Sequence, residues 1–332
     1  MSKVEGRAGI ESIESVDGDT SFWTDSDALV SCLREAPPRI PSHFGYDALG
    51  SNLFEEITAL PDYYLTRVED GLLRRHANDI ADELGTPWIA ELGSGSAKKT
   101  RVLLAACAAR RQTTFLPIDV SREMLVSSGD ALAIDCRDVT VRGLWGRYEA
   151  GLRWIRRERS TPVTVTLLGS TLGNTTPTER RNLLTEITRT LAPGDCFLVS
   201  VDLIKPAHIF ESCYNDPPGH SAFVRFRLNH LAHINRRFDG DFVLDRFQAR
   251  AHYNEHTHAV EGHLYATKDH MAKLRALDVE LKFRAGDSIN VGFSAKFDPS
   301  RFVDNMRQFD LIPHTHWIDQ RWKYGLFLFH RR

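Results

Sequence analysis

From residue 88 to residue 204 the chain repeats one pattern, a short apolar run followed by an amphipathic segment. The runs WIAEL, TTFLPIDV, VTVRGLW, TPVTVTLLG and CFLVSVDLI are too short for helices, and most are rich in β-branched residues. Between them, AKKTRVLLAACAARRQ, SREMLVSSGDAL and TPTERRNLLTEITRTLAPGD carry apolar residues at helical spacing. Ser121 stands where an N-cap is expected, and Pro-Gly stops the last segment. Runs that are apolar along their length need cover on both faces. Their alternation with helices predicts an α/β fold with an open, doubly wound sheet.

The rhythm changes on either side. DALVSCLREA, ALGSNLFEEITAL and VEDGLLRRHANDIADEL read as helices before the sheet begins. After Ile204, SAFVRFRLNHLAHINRRF reads as a helix. Three segments, GDFVLDRFQARAHYNE, THAVEGHLYATKD and LDVELKFRAGDSI, read as antiparallel strands. A helix over DPSRFVDNMRQF and a closing pair of strands, LIPHTHWIDQ and KYGLFLFHR, complete the sheet. The expected organisation is a mobile lead-in over 1–27, a sheet domain over 66–204 plus 296–332, and a discontinuous α+β domain over 28–65 plus 205–295.

Composition narrows the function classes. The 332 residues carry 42 basic and 44 acidic side chains, a formal net charge of −2. No broad basic field for nucleic acid follows. No apolar run approaches the ~20 residues of a membrane span. The polar, acidic start reads as neither a signal nor a transit peptide. Five cysteines, widely spaced and without a C-x-x-C pair, argue against a disulfide framework and a cysteine zinc site. A cytoplasmic, monomeric protein is the expectation, a dimer being an open alternative.

The stretch IAELGSGSAKKTR looks like a nucleotide site. A strand ends in Glu91, a glycine turn holds Gly93 and Gly95, and a helix opens near Lys99. The third glycine of a dinucleotide fingerprint is absent, as is the G-x-x-x-x-G-K-[ST] of a phosphate loop. Asp119 closes the next strand in LPIDVS, where an acid can bind both ribose hydroxyls. Two successive strands ending in acids favour S-adenosylmethionine (SAM) as cofactor, with NAD as the competitor.

Six blocks, taken in order, carry a closer resemblance: GYDALGSNLFEEITALPDYYLTR, ELGSGSAKKTR, LPIDVS, LLGSTLGNTTP, LAPGDCFLVSVDLIK and FSAKF. From about residue 38 onward the chain resembles the histidine Nα-methyltransferases of ergothioneine biosynthesis and their relatives that N-methylate prenylated tryptophan. The resemblance implies a class I SAM-dependent methyltransferase sheet, with the α+β domain taking substrate. It assigns Tyr46, Gly93, Gly95, Lys99 and Asp119 to SAM. It assigns Tyr63, Gly169, Asn174 and Tyr214 to the amino and carboxylate ends of an amino acid, and Ser294 to the side-chain end of that pocket. Tyr63, Asn174 and Tyr214 are the candidates for positioning the amine and receiving its proton.

Departures from the family pattern bear on substrate and cofactor. The glutamate that holds imidazole, two residues before the serine, is replaced by Gly292. Gly262 stands where a methionine is usual. Together they predict a widened, less polar pocket for an aromatic side chain bulkier than histidine, tryptophan or a modified tryptophan. Histidine itself is the alternative, and a SAM-binding relative without activity is another. The Asp-aromatic pair that meets adenine is placed at Leu144 and Trp145, with the acid lost. Arg227, where asparagine is usual, is read as surface charge. Histidines at 256, 258, 314 and 316 lack a completing carboxylate or cysteine, so no metal is expected.

Overall fold

The computed structural model describes residues 10–17 and 26–332. It divides into two compact units. The first takes in Leu65–Leu203 and Phe297–Arg332 with residues 10–17, and the second takes in Ile204–Lys296 with residues 26–64.

Strands and helices are numbered in chain order through both units. The first unit holds β1 (Ser12–Ser15), β2 (Trp88–Leu92), β3 (Thr113–Asp119), β4 (Val139–Trp145), β5 (Val163–Leu167), β6 (Cys196–Asp202), β12 (Leu311–Asp319) and β13 (Tyr324–Arg331). They form one sheet in the order β1-β4-β3-β2-β5-β6-β13-β12. Strands from β1 to β6 pair in parallel, and β13 runs antiparallel to β6 and β12. Strand order reverses at β2, whose neighbours β3 and β5 lie on opposite sides, the point where open α/β sheets place a ligand crevice. β5 and β6 are buried at every residue, which explains their unbroken apolar reading.

The helices of this unit are α3 (Leu65–Leu84), α4 (Thr100–Ala108), α5 (Arg122–Asp135), α6 (Tyr148–Glu158), α7 (Pro177–Thr190) and α10 (Pro299–Arg307). Ser121 caps α5 by accepting the Met124 N–H at 3.2 Å. Thr176 and Glu179 form a capping box at α7, where Pro177 takes the first turn. The expected mobile lead-in gives way to order at β1. There Ile10 packs against Gly129 and Ile13 against Gly143, in register with β4. Four residues are too few for a periodicity signal, so this edge strand was hidden in a polar stretch. The remainder of that lead-in lies outside the described residues, apart from Ser26 and Asp27, which begin α1.

The second unit holds α1 (Ser26–Leu33), α2 (Ala48–Thr58), α8 (Ala207–Cys213), α9 (Ala222–Phe238) and the strands β7 (Phe247–Asn254), β8 (Ala259–Ala266), β9 (His270–Leu274), β10 (Val279–Phe283) and β11 (Ser288–Ala295). β11-β8-β7 form an antiparallel sheet, and β9 and β10 form a separate hairpin. The unit has its own core, with Leu29, Leu33, Phe44, Leu231, Ile234, Leu264, Ile289 and Val291 buried together. Asp47 caps α2 through the Gly50 N–H at 2.9 Å.

Candidate functional site

The residues singled out by the sequence fall in both units. In the first, the glycine turn leaves β2 at the switch point. Gly93 has φ +71° and donates its N–H to Ile118 at 2.8 Å. A β-carbon there would lie 2.5 Å from the Tyr148 hydroxyl, so both backbone and space require glycine. The Gly95 N–H meets Asp119 Oδ2 at 3.0 Å, and the other carboxylate oxygen accepts from the Ser121 N–H at 2.9 Å. These contacts tie the ends of β2 and β3 together. Burial pushes the Asp119 carboxyl up, against the pull of its backbone donors.

Glu91 is buried, and both its oxygens accept from the Thr100 hydroxyl, at 2.8 and 2.7 Å. Burial pushes its carboxyl up to about 8. Its work is to fasten the turn to α4 from below.

Sequence reasoning missed Glu69. It lies on α3, fully buried, and pairs with the Lys99 ammonium. The same carboxylate accepts the Gly169 N–H at 2.6 Å and the Tyr324 hydroxyl at 3.0 Å. Burial raises the Glu69 carboxyl, but the Lys99 charge and the hydrogen bonds outweigh it and hold it below its usual range. Glu69 therefore brings together Lys99 and Gly169, which the sequence assigned to different ligands.

Gly169 and Ser170 both adopt left-handed backbone, with φ +77° and +55°. That sharp reversal follows β5 and starts a short 3-10 turn over Thr171–Asn174. Ser170 locks it, accepting from the Asp202 N–H at 3.1 Å while its own N–H meets Ser200 at 3.0 Å. Asn174 closes the turn half-buried, its side-chain amide without a hydrogen bond among the described residues.

Leu144 does not reach this crevice. It is completely buried inside β4, paired with Ile118 on one side and Glu14 on the other. Trp145 turns its indole N–H to the Val120 carbonyl at 3.0 Å. The side chain presented to the glycine turn is Tyr148, in the first turn of α6. Beside it, Arg147 is held by Asp17, whose Oδ2 lies 2.7 Å from Nε and 3.1 Å from the backbone N–H. The strand extends to Trp145 and the chain turns at Gly146, which brings Tyr148 to the glycine turn.

In the second unit, Tyr63, Tyr214 and Phe223 meet as one aromatic cluster, with ring centres 6.0 to 6.2 Å apart. Phe54 joins it through Tyr63, and Tyr46 and Phe226 pack on Phe54. The Tyr214 hydroxyl lies 3.0 Å from the Ser294 hydroxyl. The buried Lys296 ammonium donates to both, at 2.8 and 3.1 Å. Thus Tyr63, Tyr214 and Ser294 are brought together, and Lys296 is an addition that the FSAKF block contained but its reading passed over.

Gly262 and Gly292 are direct cross-strand partners between β8 and β11, beside a bulge at Asn290. A β-carbon on Gly292 would meet nothing within 4 Å. At Gly262 the room is already taken, since a β-carbon would stand 3.1 Å from Arg227 Nε. Arg227 is not surface charge. It is buried, donates to the Tyr214 carbonyl and lies over the Phe223 ring. Burial lowers its guanidinium to about 10. Its place on α9 is occupied by a long side chain because glycine opposite leaves space for one.

The profile of the histidine-specific, SAM-dependent methyltransferases matches residues 25–331. The chain belongs to this family. It is 36% identical to a histidine N-alpha-methyltransferase of Mycolicibacterium smegmatis over 297 residues, 89% of this chain and 91% of the other. The counterpart in Mycobacterium tuberculosis is 34% identical over 301 residues, 90% of this chain and 92% of the other. A 4-dimethylallyltryptophan N-methyltransferase of Claviceps purpurea is 31% identical over 152 residues, 44% of each chain. As a family member the methyltransferase has the class I sheet and uses SAM. The strand ends fit that cofactor: Asp119 projects at the end of β3 beside backbone N–H groups, and Gly93 keeps the turn free of a side chain. All five cysteines are buried and none is in a disulfide, and no helix among the described residues is long and apolar enough to cross a membrane.

Proposed function

We propose that this methyltransferase transfers a methyl group from SAM to the α-amino nitrogen of a free amino acid, histidine being the substrate that its relatives support. The relatives that match along nine-tenths of the chain carry that activity in their names. SAM supplies an electrophilic methyl on a sulfonium, so no protein nucleophile is needed. Asp119 would bind the ribose hydroxyls, the Gly93–Gly95 backbone and Lys99 the methionine part, and Tyr148 would line the crevice beside Gly93. This set replaces the Leu144–Trp145 assignment.

On the substrate side the work is positioning and proton removal. The amine must lose its proton to attack. Tyr214 is the acceptor we favour, because the Lys296 ammonium against its oxygen stabilises negative charge developing there. The Asn174 amide offers one donor group and one acceptor, which suits a carboxylate and an amine together. Tyr63 packs on Tyr214 and fixes its ring.

A second reading, a bulkier aromatic side chain such as tryptophan, is favoured by one observation. Gly292 stands where the family's imidazole-binding glutamate is expected, and the space above it is open. Arg227 removes the matching argument at Gly262. One experiment separates the readings: the purified protein is incubated with SAM and a panel of free amino acids, and products are followed by mass. Turnover of histidine above all others supports the first, turnover of tryptophan above histidine supports the second, and no methylated amino acid at all would end both.

A further inference from the structure

The polar face of the β11-β8-β7 sheet carries a cluster that the methyl-transfer chemistry does not use. His252 on β7 stands directly across from Glu261 on β8, and His263 follows two residues along β8 on the same face. One ligand atom from each side chain lies within 4.8 Å of the other two. Glu261 Oε2 is 3.6 Å from His252 Nε2 and 3.5 Å from His263 Nε2. These separations are too long for good hydrogen bonds. They are close to the ~3.4 Å edge of a tetrahedron with bonds of about 2.1 Å.

The second polar atoms of Glu261 and His263 are already engaged. Glu261 Oε1 accepts from Asn254 Nδ2 at 3.1 Å and from the Thr257 hydroxyl at 3.3 Å. His263 Nδ1 lies 3.1 Å from the Ser288 hydroxyl. Such outer partners orient imidazole and carboxylate in metal centres. They leave Oε2 and two Nε2 atoms near one another, with Asn290 Nδ2, 3.4 Å from His263 Nε2, the competitor among the described residues. His252 and Glu261 are partly exposed, so an ion has a route in.

We propose that His252, Glu261 and His263 bind a divalent first-row metal ion, zinc being the match to two imidazoles and one carboxylate. The sequence reading weighed only the histidines at 256, 258, 314 and 316 and expected no metal. His256 lies on the exposed turn after β7, and His314 pairs with Glu83. The ion would clip β7 to β8 across the His252–Glu261 pair. Gly262, between two of the ligands, belongs to the opposite face of the same strand. Metal binding would therefore steady the strand that carries Gly262 without taking part in methyl transfer.

The test uses the untagged full chain and zinc alone, in competition with a chromophoric zinc indicator. One zinc per chain is expected, with affinity falling roughly 100-fold in His252→Ala and about 10-fold in Ser288→Ala. His256→Ala should be unchanged. Since His252 is partly exposed, its variant should keep the wild-type circular dichroism. Cobalt in place of zinc should give visible absorption bands that His252→Ala and Glu261→Gln both lose. Equal zinc uptake by wild type and both of these variants would overturn the proposal, as would loss of uptake in His256→Ala alone.

Discussion

Glu91 shows how one buried acid couples the cofactor turn to pH. Its folded-state carboxyl titrates at about 8 against 4.5 for the free group, chiefly through burial. Between those values the folded chain holds a proton that the unfolded chain has lost. The contribution of Glu91 to stability is therefore full below about pH 4.5 and falls as pH rises toward about 8. Glu91→Gln keeps the Thr100 contact without the charge. Thermal melts across this range should show a shallower decline for the variant, and identical slopes would remove Glu91 as the cause. On the substrate side, Tyr214→Phe should lower kcat by about 100-fold with little change in KM, read from initial rates. Asn174→Ala should abolish turnover while calorimetry still detects SAM binding. Gly292→Glu places a carboxylate in open space and should raise kcat/KM for histidine relative to tryptophan. An unchanged ratio would make the glycine purely structural.

Among the elements, α3 does more than cover the sheet. Through Glu69 it binds Lys99 from the glycine turn, Gly169 from the turn after β5 and Tyr324 from β13. Removing the carboxylate leaves an ammonium, an N–H and a hydroxyl without their shared acceptor. Glu69→Ala should cost about 2 kcal/mol in urea denaturation, after discounting for the partial exposure of Lys99. Most strands and long helices were legible in the sequence, because apolar periodicity reports burial directly. β1 was not, since an edge strand of four residues carries almost no pattern. Glu69 was not, because an acid on an amphipathic helix looks solvent-facing until the sheet is folded beneath it. The approach of Tyr148 to the glycine turn was not legible because a turn at Gly146 separates it from strand β4. Arg227 was misjudged because its burial depends on Gly262, thirty-five residues away.

For the whole molecule, the two units divide the chemistry. One carries the switch-point crevice with Asp119 and the Glu69 hub; the other carries the Tyr63–Tyr214–Ser294 cluster with Lys296. On the proposed reading, methyl transfer by this set needs alignment and removal of one proton, with no protein nucleophile. The most direct test supplies SAM labelled in its methyl group and follows the label into amino acids. Label is predicted on the α-nitrogen of a free amino acid, with none on the same amino acid acetylated at that nitrogen. Label on a side chain, or equal labelling of the acetylated form, would contradict the account.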